Sequence, residues 1–263
     1  MNQAIALYST KFIFTAKQIS EMAETQDKTN QKMFGENWVD MKPYELPYFR
    51  ATLVEAVEAI AERGYKWWKK DSCNFDHLKM ELIDMLHFVL SDEIRRYKNI
   101  PTLVANYERD SKRPIELKAI GRFADVLAFN QYGFKVDSTN PKISRVDDLK
   151  IAFHFNDLCE QLIFTSLVDG VSNIHILALL FEILDMDASE VALQYIAKNV
   201  LNHFRDDNGQ KTGAYYRMWD GIEDNEVLMD FTRDNPEADR SEIYSFLCKR
   251  YTHSELRHMT HKI

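Results

Sequence analysis

Residues 78–90 read LKMELIDMLHFVL, nine apolar residues broken only by Lys79, Glu81, Asp84 and His87. The last three recur at every third position, so a helix through this stretch carries one polar stripe on a rod that is otherwise apolar. A helix apolar nearly all round is normally a buried one. A carboxylate inside it is costly unless it is paired or bound to a metal, which makes Glu81 and Asp84 candidates for chemistry. Upstream, residues 53–62 read LVEAVEAIAE and carry a second acidic pair, Glu55 and Glu58, at the same i, i+3 spacing. Taken alone, ExxE on an amphipathic helix is ordinarily a solvated face, here with Leu53, Val54, Val57, Ile60 and Ala61 as the expected core side. Two helices joined by a short loop pack antiparallel, which can set the two acidic pairs opposite each other. Four carboxylates offering only oxygen select Mg²⁺, with Mn²⁺ as a substitute, over zinc or copper. Magnesium usually bridges carboxylates to substrate phosphates, so a phosphoanhydride is the natural substrate.

The rest of the chain agrees with helices. Among 263 residues there are eight Gly and six Pro, well under the usual shares of about 7% and 5%. The expected fold is all-α, a helical bundle forming a single catalytic domain over residues 1–263. Residues 4–30 have mixed helical periodicity and lead into a loop from Phe34 to Pro47. Helices are expected at 48–62, where Pro47 suits the first turn, at about 76–96, and from Pro101 onward. Residues 109–146 are richer in charge, Asn, Gly and Pro and read as looped or partly helical and peripheral. Helical patterns resume at 149–168, 174–184 and 188–205. A glycine-bearing polar loop follows, and two charged helices close the chain. A strand pair around Ala214 to Trp219 is the one minor β candidate.

A net charge of −8 without a basic stripe argues against nucleic-acid binding. Cys73, Cys159 and Cys248 are odd in number and lack a CxxC, which fits reduced thiols in a cytoplasmic protein and no zinc site. MNQAIALYSTKFIFTA has no basic n-region and is not read as a signal peptide. The most apolar later stretch, 174–184, is too short to span a bilayer, so no membrane partner is expected.

The spacing ExxE, 22 intervening residues, then ExxD resembles the all-α nucleoside triphosphate pyrophosphatases. The flanking sequence is more specific. GYKWWK at 64–69 and MELIDMLHFVLS at 80–91 resemble the dimeric all-α dUTPases. AKNVLNHFRDDNGQKTGAYYRMWDGIEDN at 197–225 is similar to that family's closing motif, with KNxLNxFR and GxKxGxY elements, and TQDKTNQKMFGENW at 25–38 to its uracil-binding segment. These blocks cover residues 25–91 and 191–228.

The resemblance implies Mg²⁺-dependent hydrolysis of dUTP to dUMP and pyrophosphate in a homodimer, and leaves open whether dUDP is a further substrate. Position by position it implies that Glu55, Glu58, Glu81 and Asp84 hold the metal. Glu55 or Glu58 would also take the proton of the water that attacks the α-phosphorus. Gln26, Asn30 and Asn202 would read the base, whose O4 and N3–H suit an amide. Trp67, Trp68, His87 and Phe88 would wall the pocket. Lys198, Arg205 and Lys211 would hold the phosphates, with Lys66 and Lys69 beside them. The chain departs from the family where Leu-Asn reads Thr29-Asn30 and where the aromatic of GYKxG is Gln210, which removes an expected phosphate or sugar contact.

Plain readings stand beside these roles. A tryptophan pair is commonly core, a histidine on an apolar helix commonly a satisfied core residue, and terminal lysines commonly solvated. KNxLNxFR is of interest because it puts Lys198, Asn202 and Arg205 on one face. Asp206, Asp207, Glu223 and Asp224 read as an exposed charged loop. The rival functions are a relative acting on dCTP, or on both pyrimidines, and a di-iron helical bundle. The latter wants Glu-x-x-His pairs that these sites do not supply.

Overall fold

The computed structural model describes residues 5–8, 10–63, 74–118, 143–170 and 173–260. It divides into two compact units, Met1–Ala188 and Ser189–Ile263.

The first unit is built around the stretch that opens the sequence argument. Helix α1 (Ala16–Phe34) starts at a capping box in which the Thr15 and Gln18 side chains satisfy each other's backbone N–H groups, and it ends at Gly35, whose φ of 92° only glycine takes easily. Helix α2 runs Tyr48–Glu62 with Pro47 at its N-cap, the boundaries expected. Helix α3 (Phe75–Tyr97) is capped by the Asn74 side chain, which accepts from the N–H groups of Asp76 and His77. Asn99 caps α4 (Ile100–Asp110), with Pro101 in its first turn. Helices α5 (Ile143–Asp169) and α6 (Ile174–Ile183) follow.

Leu78, Leu82, Ile83, Met85, Leu86, Val89 and Leu90 of α3 are all buried, as a rod apolar nearly all round requires. The helix packs against α1, α2, α4 and α6, and α2 packs in addition on α5. The face α2 buries differs from the expected one. Tyr48, Thr52, Ala56 and Ala59 are inside, while Val54 and Val57 are each 49% exposed. Mostly small side chains on the inner face let neighbouring backbones come close. With that face inward Val54 and Val57 stay at the surface, and Glu55 lies half-buried.

Residues 4–30 are not helical throughout. Strand β1 (Ile5–Tyr8) pairs antiparallel with β2 (Ile115–Lys118), Ile5 opposite Lys118, a second β pair beside the one expected around 214–219, which itself lies a few residues later, at 218–223. Four residues are too few for period-two patterning to stand out, and the partner lies a hundred positions away. The remainder of the expected peripheral stretch, 119–142, lies outside the described residues.

The second unit contains α7 (Ala188–Asp207), α8 (Asp224–Asp234) and α9 (Arg240–Thr260). Between α7 and α8, strands β3 (Met218–Trp219) and β4 (Ile222–Glu223) form a hairpin through Asp220 and Gly221, both at positive φ, as a tight Asp-Gly turn requires. Trp219 packs in a cluster with Phe204, Leu201, Leu228, Leu247 and Tyr251. No helix among the described residues is long and apolar enough to cross a membrane. Cys159 and Cys248 are free thiols, and Cys73 lies outside the described residues.

Candidate active site

The rotation of α2 has its chemical consequence at Glu55. One carboxylate oxygen each from Glu55, Glu81 and Asp84 lie within 4.8 Å of one another, all three half-buried, and among the described residues no other such group of possible metal ligands occurs. Like charges this close resist ionising together. Glu81 is pushed up to about 8, first by burial, then by a hydrogen bond with Glu55 and by the charges of Asp84, Glu55 and Glu58. The donor set is all oxygen and its crowding is relieved by a proton or a cation, so the trio fits a hard divalent ion. Glu58, one turn along α2 from Glu55, is exposed and stands outside the trio, though near enough for its charge to act on Glu81.

Beside this stripe, α1 and α3 hold a buried polar chain. His87 Nδ1 lies 2.9 Å from Gln26 Oε1. The Gln26 amide donates to Asn30 Oδ1 at 3.1 Å, and the Asn30 amide donates to Ser91 Oγ at 3.0 Å. Ser91 in turn donates to the backbone carbonyl of His87 at 2.9 Å, one helical turn back. Gln26, Asn30, His87 and Ser91 are all buried. Gln26, Asn30 and His87 are thus brought together, and Ser91, which sequence reasoning passed over, ties them. Its signal was its place four residues after His87. Half-buried Phe88 stacks on Tyr48 with centroids 6.5 Å apart. Lys66, Trp67, Trp68 and Lys69 lie outside the described residues.

In the second unit the cationic candidates are anchored. Arg205 grips Asp224 with both arms of its guanidinium, Nε to Oδ2 at 2.9 Å and Nη2 to Oδ1 at 2.6 Å. Its Nη1 also donates to Asn202 Oδ1 at 3.3 Å. Lys198 Nζ and Arg205 Nη2 both donate to Asn225 Oδ1, each at 3.1 Å. The Tyr215 hydroxyl donates to Asp224 at 2.6 Å, and burial followed by that carboxylate pushes its pKa up. Asp224 is 0% exposed, against the expectation of a solvated loop. A carboxylate held by a fork of guanidinium N–H groups can be buried, and its partner lies nineteen positions upstream, where charge counting along the loop does not look. Asn202 is exposed, as is Lys211, which pairs with Asp206 at 2.9 Å.

Two carboxylates and an imidazole at a three-residue period on α3, with one more from α2, make a place for a cation next to a polar chain of amides. No curated protein matches the chain. A family model described as dUTPase matches residues 18–210.

Proposed function

The chain belongs to the dimeric, all-α dUTPase family, and from that premise we propose that it hydrolyses dUTP to dUMP and pyrophosphate by attack of water on the α-phosphorus. The observation that carries this reading is the meeting of Glu55, Glu81 and Asp84 within 4.8 Å on two packed helices. These three, with Glu58 close by, would hold Mg²⁺ or Mn²⁺. Bound there, the cation supplies positive charge that neutralises the triphosphate and makes the α-phosphorus more open to attack.

Phosphoryl transfer asks the protein mainly for position and charge. Glu55 is engaged with Glu81, so of the two candidate bases on α2 we assign Glu58, not Glu55, to take the proton of the attacking water. Gln26, Asn30, His87 and Asn202 are assigned to the base, and Phe88 with Trp67 and Trp68 to the pocket wall. Lys198, Arg205 and Lys211, with Lys66 and Lys69, are assigned to the phosphates.

Pyrophosphate release from dUTP, dCTP, dTTP and dATP, and phosphate release from dUDP, each with Mg²⁺, tests the reading. Turnover of dUTP far above the other triphosphates, abolished by EDTA, is expected. Equal turnover of dCTP would reassign the base choice, and full activity in EDTA would refute the metal.

We also infer a homodimer, supported by the family and by exposed Val54 and Val57 on α2. Light scattering should give about twice the 30.9 kDa chain mass. A monomer at working concentrations would refute it.

A further inference from the structure

We infer that Ser91 is a positioning residue that fixes the tautomer of His87, acting through Asn30 and Gln26. Ser91 has one hydroxyl proton, and that proton is committed to the backbone carbonyl of His87, which can only accept. Toward Asn30 the serine oxygen can therefore only accept, so the Asn30 side chain must present its NH₂.

The direction then propagates. With its NH₂ on Ser91, Asn30 presents Oδ1 to Gln26, which must answer with its own NH₂. Gln26 is left presenting Oε1 to His87. Two acceptors 2.9 Å apart repel, so the His87 nitrogen facing Gln26, Nδ1, must carry a proton. Reversing Asn30 alone would set like against like at both of its contacts, and reversing Gln26 alone would do so at Asn30, so the two amides hold their direction together. In the neutral ring a proton on Nδ1 leaves the lone pair on Nε2, because the bond made by one imidazole nitrogen decides the state of the other.

This gives the base pocket a sense of direction, and here the inference rests on the reading that His87 faces the base. An Nε2 that accepts suits the N3–H of uracil. It meets the bare N3 of cytosine acceptor to acceptor, so the serine hydroxyl would favour uracil at two residues' remove. Removing the hydroxyl leaves both amides able to reverse. Gln26 would then offer its NH₂ to Nδ1, and the proton would move to Nε2.

Long-range ¹⁵N–¹H spectra of the histidine-labelled full chain with Mg²⁺ read the tautomer directly, with His87 assigned by its absence in His87→Gln. The wild type is expected to show protonated Nδ1 and bare Nε2. Ser91→Ala should shift His87 toward the Nε2–H form, and Ser91→Thr, which keeps a hydroxyl, should restore the wild-type pattern. An Nε2–H ring in the wild type, or the same tautomer in wild type and Ser91→Ala, overturns the inference. In parallel, the dUTP-to-dCTP ratio of kcat/KM should fall about tenfold in Ser91→Ala, as when a site loses a matched polar partner. A tautomer change with an unchanged ratio upholds the role of Ser91 and removes His87 from base reading. A chain that does not turn over dUTP fails the functional proposal while leaving the spectra to decide the tautomer.

Discussion

Two groups of charge in this molecule, one fully buried and one half-buried, are built on opposite rules. In the second unit Asp224 is fully buried and gripped by Arg205, with Tyr215 and Asn225 completing the surroundings. In the first unit Glu55, Glu81 and Asp84 are set against one another, and Glu81 is held up at about 8 by burial first and by that crowding second. One arrangement is complete within the chain. The other is improved by something brought from outside. Where a carboxylate serves the fold it is given a guanidinium, and where three carboxylates crowd together the fold tolerates a cost that a cation would reduce.

The sharpest way to break this contrast is to remove one carboxylate from each group. Asp84→Asn or Glu58→Gln should lower dUTP turnover on the order of 10³-fold. In metal-free protein Asp84→Asn should lower Tm less than Asp224→Ala does, because it relieves one of several like charges. Retained turnover in both variants would mean that the carboxylates do not serve catalysis. Asp224→Ala should behave in reverse. It leaves Arg205 buried beside a lost partner, at a cost of about 3–5 kcal/mol of stability, read by urea denaturation. A loss below about 1 kcal/mol would mean that the pair is no anchor.

The smallest effect sharpens the comparison by pH. Folding raises Glu81 from the ordinary 4.5 to about 8, so across that interval the folded chain keeps a proton that the unfolded chain has released. The contribution of Glu81 to the stability of the metal-free protein must then fall as pH rises through the interval. The slope is at most one proton, about 1.4 kcal/mol per pH unit, and solvent screening at a half-buried group reduces it. A cation replaces that proton, so the gain in Tm on adding Mg²⁺ should be larger at about pH 8 than at about pH 6. An equal or smaller gain at the higher pH would place Mg²⁺ binding elsewhere.

Much of the first group was legible in the sequence, because a three-residue period of acids on an apolar helix means one thing sterically. The ends of α2 were legible too, since Pro47 marks one and the next break comes at Gly64. What sequence hid were choices made between distant residues. Val54 and Val57 are more apolar than Thr52 and Ala56, yet the smaller pair faces inward, because close approach of helices depends on shape as well as hydropathy. Asp224 looked solvated because its partner is far along the chain. Ser91 looked like an ordinary helix residue, and its meaning appears only when α1 brings Asn30 against it.

The inner face of α2 has one more effect. Ala56 and Ala59 bring nothing to the chemistry, but their methyl groups limit how far the α2 backbone stands from the helices packed on it, and so how far Glu55 stands from Glu81 and Asp84. The aperture offered to an ion is gauged by alanine. A larger side chain there would change which radius is accommodated while every ligand stayed in place.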